Sequence, residues 1–482
     1  MKEGYIPQAQ RKKILLLCDD IRMTSGISTM AREIVVGTSH HYNWVNVGGA
    51  INHPDQGKRF DLNDDTNRHA GITDASVYLY PINGYGDPMF LKQMLVLEKP
   101  DALMMFTDPR YWVWLFQMEH EIRKNIPIIY LNIWDDLPYP MYNKAFYESC
   151  DTLLAISKQT ENINRCVLGE EIAAEKIIKY VPHGINEKIF FPITTEHPEY
   201  LALQEYKKAL YQGKEYDFTM LYNARNIRRK SVPDLMLAWK IFKDQLPEDE
   251  AKKCAFVLHT QIADENGTDL QAVKEMLFGN YDYNIIFDQN KYPSNVMNLL
   301  YNATDVTALI SSNEGWGLSL TEAMMCSKPI IATVTGGMQD QMRFEDENGE
   351  WIKFTPEFGS NHRGKYKNHG NWAFPVFPSN RSLVGSIPTP YIFDDRAEPH
   401  DIAEQIMSCY KLEKTYREFI GQEARKWVTS DESMMSASNM CKNVIDSIDE
   451  TFAKWQSRHR FELIQIETPK QPKHFVKYVI AK

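Results

Sequence analysis

Short runs of consecutive apolar residues recur along the chain, separated by longer amphipathic stretches. ILLLC (14–18), VNVGG (45–49), SVYLY (76–80), ALMMF (102–106), IPIIYLNI (126–133) and TLLAIS (152–157) read as strands. They lack the every-second-residue polar alternation of a half-exposed sheet, so they predict strands buried on both faces. Intervening segments such as GISTMAREIVVG are long enough for helices, and the alternation predicts βαβ units. After PHGINEKIFFP (182–192) the chain turns polar, and strand candidates resume with FTMLYNA (218–224), CAFVLH (254–259), NIIFDQ (284–289), VTALISS (306–312) and KPIIATV (328–334).

The pattern predicts an α/β protein of two doubly wound, Rossmann-like domains facing across a cleft. Their expected bounds are 1–192, a linker at 193–216, and 217–430. Residues 431–482 are expected to form a helix crossing back to the first domain and a basic tail. Ligands of such sheets sit at the carboxyl ends of the strands. One segment breaks the rhythm. Between Phe358 and Phe393 there is no Asp or Glu, while Arg363, Lys365, Lys367 and Arg381 stand among Tyr366, Trp372, Phe374 and Phe377. It reads as an inserted basic, aromatic flap.

The 482 residues exceed what one core usually organises, and 43% hydrophobic with 24% charged residues is ordinary for a globular chain. A formal net charge of -10 argues against a non-specific nucleic-acid binder, although a local basic patch stays compatible with it. Seven cysteines without a Cys-x-x-Cys pair predict reduced thiols and not a disulfide framework or zinc site. No apolar run approaches a membrane span, so the expectation is a cytoplasmic protein without a transmembrane segment.

Candidate chemistry concentrates in two places. In SSNEGWGLSLTEAMMC (311–326), Glu314 and Glu322 flank the backbone of Gly315, Trp316, Gly317 and Leu318. Ser319 and Glu322 have capping-box spacing at a helix start. Glycines ahead of a helix let backbone N–H groups approach an anion, and carboxylates accept well from sugar hydroxyls. In NARNIRRKS (223–231), Arg225 and Lys230 stand after the first strand of the second half, where a diphosphate needs counter-charge. A solvated basic turn is the competing account of that cluster.

NEGWGLSLTEAM resembles the E-x7-E segment of retaining glycosyltransferases of GT-B fold, and in particular family 4, the group 1 transferases. SGIS (25–28), CDTLLAISKQT (150–160), VPHGINEKIFFP (181–192), NARNIRRKS and KPIIATVTGGMQDQM (328–342) resemble further segments of that family in the same order. The resemblance implies that Glu314 holds donor-sugar hydroxyls beside the 315–318 backbone, and that Glu322 holds the ribose. It implies that Arg225 and Lys230 neutralise the departing diphosphate and that Gly26 lies near the phosphates. The donor would be a nucleotide sugar, UDP- or GDP-linked, with no cofactor and no metal. Where the family has a histidine, this chain reads NIWDDLPYP, so Trp134 would close the sugar pocket, with Asp135 beside it. His183 and His259 end predicted strands; His183 is a candidate for the acceptor or sugar pocket, although a structural role is the commoner one for such histidines.

The expected function is therefore sugar transfer with retention to a saccharide or glycolipid hydroxyl. A hydroxylated base in DNA, reached through 358–393 and the basic tail, is the second acceptor class. A non-catalytic nucleotide-sugar or carbohydrate binder is the alternative from another class. An oxidoreductase is not expected, because CDDIRMTSGIS lacks the G-x-G-x-x-G of a dinucleotide fingerprint.

Overall fold

The structure is a computed structural model and describes residues 4–458. The basic tail expected to contact DNA therefore lies outside the described residues. Eight strands form the first sheet: β1 Lys12–Asp19, β2 Tyr42–Ile51, β3 Phe60–Asp61, β4 Val77–Asn83, β5 Ala102–Phe106, β6 Ile128–Asn132, β7 Thr152–Ala155 and β8 Ile177–Tyr180. Their order is β3-β4-β2-β1-β5-β6-β7-β8, parallel except for the short edge strand β3. The second sheet holds β9 Phe218–Asn223, β10 Cys254–His259, β11 Ile285–Asp288, β12 Val306–Leu309, β13 Ile330–Thr333 and β14 Ala373–Val376, in the order β11-β10-β9-β12-β13-β14. In both sheets the order reverses beside the first strand, at β1 and β9, which is where doubly wound folds bind ligands.

The apolar runs form these strands because helices cover both faces. Every residue of β5, β6, β7, β12 and β13 is buried. The stretch placed between the halves is not bare linker, since it contains the helix Tyr200–Leu210, whose Leu203 is buried. The last described helix, Ala437–Lys454, packs on the first half. Thr451 Oγ1 meets Thr152 Oγ1 of β7 at 2.7 Å, and Tyr42 Oη of β2 donates to Asp449 Oδ1 at 2.6 Å.

Two expectations need correction. Residues 358–393 are not one inserted flap: Ala373–Val376 is the parallel edge strand β14, paired with β13. An edge position tolerates Pro375, and Trp372 just before it is buried, donating Nε1–H to Gln341 O and stacking on Trp427. Beyond β14 the chain forms an antiparallel hairpin, β15 Asn380–Ser386 and β16 Thr389–Arg396. Ser319 and Glu322 form no capping box either. The helix Leu318–Met325 starts after Gly317, whose φ of 83° is left-handed, and no side chain caps it. A left-handed residue at that place is open to glycine at no steric cost, which puts Ser319 already inside the first turn.

Candidate active site

The site is assembled where β9 and β12 end. After β9 a single 3-10 turn, Arg228–Lys230, directs two cations at the loop after β12. Lys230 Nζ donates to Glu314 Oε2 in a short contact, and Arg229 Nη1 donates to the same oxygen at 2.8 Å. Arg229 also donates to Asn313 O at 2.8 Å, and its own carbonyl accepts from Ser312 N at 2.7 Å. Ser311 Oγ adds a third donor to Glu314 at 3.1 Å. Burial pushes the Glu314 carboxyl up, but the facing Arg229 and Lys230 outweigh it and hold it down to about 2. Glu314 is thus an anion at neutral pH, and burial lowers Lys230 against the pull of Glu314.

Two glycines make the Glu314 loop possible. A Cβ on Gly336 would lie 2.1 Å from Glu314 O, and one on Gly337 would lie 2.0 Å from Gly315 O. Gly337 N donates to Glu314 O at 3.0 Å, so the chain after β13 clamps the loop from behind. From the other half, Ile133 O would lie 3.1 Å from a Cβ on Gly315, and Leu318 Cδ1 would lie 3.1 Å from one on Gly26. Trp316 is buried between the halves, its ring 6.3 Å from His183, which itself packs 5.6 Å from Phe106. Burial drives His183 down to about 3, so it is neutral there.

The first half also contributes Asp135 and Trp134. Burial raises the Asp135 carboxyl to about 6 against the attraction of Arg229, while the Glu314 charge adds to the rise. Trp134 is buried, donates Nε1–H to Asp136 O at 3.1 Å and meets Tyr142 edge-on at 5.8 Å. Arg225 stands apart from Glu314. It makes a two-point ion pair with Asp264, at 2.6 and 3.0 Å, on the rim of a cavity of about 450 Å³. His259 lines the same cavity, pairs with Asp288 at 3.1 Å and stacks on Tyr292. Glu322 accepts from Tyr301 Oη at 2.5 Å, which in turn accepts from Asn223 Nδ2 at 2.7 Å. Asn223 lines the cavity, so this relay connects Glu322 to it.

Lys230, Glu314, Asp135, Trp316, Gly26 and the 315–318 backbone are thus brought to one interdomain junction, with Arg225 at the neighbouring cavity and Glu322 joined to that cavity through Tyr301 and Asn223. Arg229 was not singled out by the sequence. Its only signal was adjacency to Lys230, and the turn geometry decides that both face Glu314. Asp340 was also missed; its Oδ2 accepts from Lys158 N of the first half at 2.9 Å. Burial lifts Asp340 to about 7. Among the described residues no group of three or more His, Cys, Asp or Glu is arranged to hold a metal, and no helix is long and apolar enough to cross a membrane.

Asp340 carries a pH signature. Its folded pKa is raised above an unfolded value near 3.9, so its contribution to stability is complete below about pH 4 and is lost as pH rises through about 7. Urea unfolding at pH 5 and pH 8 is expected to show Asp340→Asn losing less stability over that interval than the wild type. The difference should be on the order of 3 kcal/mol. Parallel pH profiles for the two proteins would refute it.

Residues 204–357 match the family model described as glycosyl transferases group 1. Over 113 residues, 23% of the chain, there is 25% identity to trehalose synthase of Thermococcus litoralis, and an equal match to that of Pyrococcus furiosus. The match spans 27% of the length of these curated relatives. At the level of structure, 91% of the chain superimposes on all of Anabaena Alr3699/HepE in complex with UDP and glucose, with a TM-score of 0.61 and 13% identity. Sucrose-phosphate synthase of Thermosynechococcus elongatus gives 0.62 at 15% identity, covering 92% of this chain and 100% of that one.

Proposed function

We propose, for a chain that carries a group 1 glycosyl transferase domain on a GT-B fold, that it moves a sugar with retention from a nucleotide-sugar donor to an acceptor hydroxyl. The observation that carries the reading is the Lys230–Glu314–Arg229 cluster at the carboxyl ends of β9 and β12, closed over by the first half. A buried carboxylate that stays ionised is suited to accept from sugar hydroxyls, and cations beside it are suited to the charge of a leaving diphosphate. The complex of Anabaena Alr3699/HepE with UDP and glucose supports UDP as the nucleotide. In this reading the cavity at the ends of β9, β10 and β11 seats the nucleotide. Asn223, Tyr301 and Glu322 lead from it toward the ribose, and Arg225 exchanges Asp264 for phosphate.

The bond between the anomeric carbon and the β-phosphate oxygen breaks, and Lys230 with Arg229 stabilises the charge that develops on that oxygen. The acceptor hydroxyl adds to the same face, and its proton passes to the departing phosphate. Trp134 and Asp135 line the sugar side from the first domain. Closure of the junction over a bound donor would exclude water and favour transfer over hydrolysis. Nucleotide release from a panel of UDP- and GDP-sugars tests the reading. At least one donor is expected to be turned over, faster when a suitable acceptor is added. Binding of a nucleotide sugar without turnover under any condition would leave a binding protein instead.

A further inference from the structure

We infer that the segment 358–367 and the base of the β15–β16 hairpin form a docking trough for the phosphodiester backbone of a nucleic-acid acceptor. Two adjoining cavities, of about 570 and 400 Å³, share Asn361, Arg363 and Arg381 as lining residues. Lys367 lines the first, and Lys353 and Lys365 line the second. Arg363, Lys365, Lys367 and Lys353 form no ion pair among the described residues, in a chain that is acidic overall. The acids that line the two cavities, among the described residues, are Asp395, already engaged by Arg381, Ser360 and Asn361, and the exposed Glu357.

Two buried donors in this trough lack partners. Arg381 gives Nε–H to Asp395 at 3.0 Å, but its Nη2 has no hydrogen-bond acceptor, and neither has His362 Nε2. Burial and the neighbouring Lys367 hold the His362 ring down to about 4, so it is neutral until an anion arrives. Unsatisfied buried donors beside unpaired cations are the complement of phosphate oxygens. The walls carry Tyr366, Phe358 and Phe377, aromatic faces against which a base can stack. A concave trough of this kind fits a strand better than a planar lipid surface.

The trough also leads to the reaction centre. At the hairpin base, Asp395 N donates to Ser312 O at 2.9 Å, and Asp394 Oδ1 accepts from Ser312 Oγ and Asn313 Nδ2, both at 3.2 Å. Asn313 adjoins Glu314. Farther along, Phe393 N donates to Leu137 O at 2.6 Å and Tyr142 Oη to Tyr391 O at 3.0 Å, so β16 borders the residues just after Asp135 and Asp136. A strand held in the trough would therefore present a base hydroxyl at the cleft. This last step rests on the transferase reading, whereas the docking itself does not.

The test is binding of a labelled single-stranded DNA oligonucleotide to the full chain by fluorescence anisotropy, from about 50 to about 200 mM salt. The expected log–log slope is about -2 to -3, from three to four neutralised phosphates at about -0.7 each. The double variant Arg363→Ala/Lys367→Ala should bind at least about tenfold more weakly and lose about 1.4 of that slope. Arg363→Lys/Lys367→Arg should keep most of both. The His362 imidazole signal in NMR should shift on adding DNA to the wild type. Oligonucleotide that does not bind, or that binds the alanine variant equally well, overturns the proposal. So does binding to phosphatidylserine vesicles or to inorganic phosphate without binding to DNA. Nucleotide release from the donor panel, measured in parallel, reports on the transferase reading, so DNA binding with no donor turned over under any condition would sink that reading and leave the trough standing.

Discussion

Lys230→Ala and Glu314→Gln are each expected to lower sugar transfer by about 100-fold or more, the usual cost of removing one preorganised charge-stabilising group. The two substitutions act differently. Lys230→Ala removes a buried cation whose partner, Glu314, then keeps, among the described residues, Arg229 and Ser311 as donors. Breaking a buried pair can cost about 3–5 kcal/mol of stability, so part of the loss could come from unfolding. Glu314→Gln keeps shape and two of its lone pairs but removes the charge. Turnover of both variants should be measured with urea melts at the same pH. Variants that stay folded and retain turnover within about threefold of wild type would show that chemistry takes place elsewhere. Arg225→Ala in the same assay reports whether the Asp264 pair is given up to the donor.

The second large effect is expected from a residue with no side chain of its own. Gly337→Ala should disable the site, because the new methyl group has no room. Its Cβ would stand 2.0 Å from Gly315 O and 3.1 Å from Ser157 Cβ. Both obstacles belong to structure that cannot retreat freely, one the backbone of the Glu314 loop and the other the wall of the opposite half. The loop must shift, and with it the hydrogen bond from Gly337 N to Glu314 O. Overpacking of this kind costs about 1–3 kcal/mol, and displacement of a reacting group by about 1 Å can cost about 100-fold in rate. Transfer is expected to fall at least about tenfold while nucleotide binding at the β9–β11 cavity persists. A variant with wild-type turnover would mean that the loop is not clamped from behind.

How far the sequence could be read depends on where each residue's environment comes from. ALMMF and TLLAIS announce β5 and β7 because burial on both faces demands apolar residues at every position. Ala373–Val376 was hidden by Pro375, which only an edge position excuses, and by the cations around it. Glu314 and Lys230 were legible from their resemblance to a motif. Arg229 was not, since in the string IRRKS every cation looks alike and a three-residue turn decides which ones face inward. The Ser319 capping box failed for the opposite reason, because local spacing was read without the left-handed Gly317 that moves the helix start. Asp340 depends on an amide of the other half, more than 180 positions away, and no local pattern encodes such a partner.

The return of the helix Ala437–Lys454 to the first half sets a timetable for the chain as it is made. A Cβ on Gly37 would lie 2.2 Å from Cys441 Sγ, so the face of the helix Gly26–Thr38 is cut to receive this one partner. All of β1–β8 has left the ribosome by about residue 220, allowing roughly 40 residues in the exit tunnel, yet Met440, Val444 and Ile448 emerge roughly 250 residues later. At about 5–20 residues per second, the first half waits for its cover for roughly 12–50 s. During that interval the Glu33–Gly37 face of the helix Gly26–Thr38 and the sheet near β7 and β8 lack their cover. The first half is complete in sequence early but complete in structure only once the helix Ala437–Lys454 has emerged, and that delay gives a chaperone time to act on it.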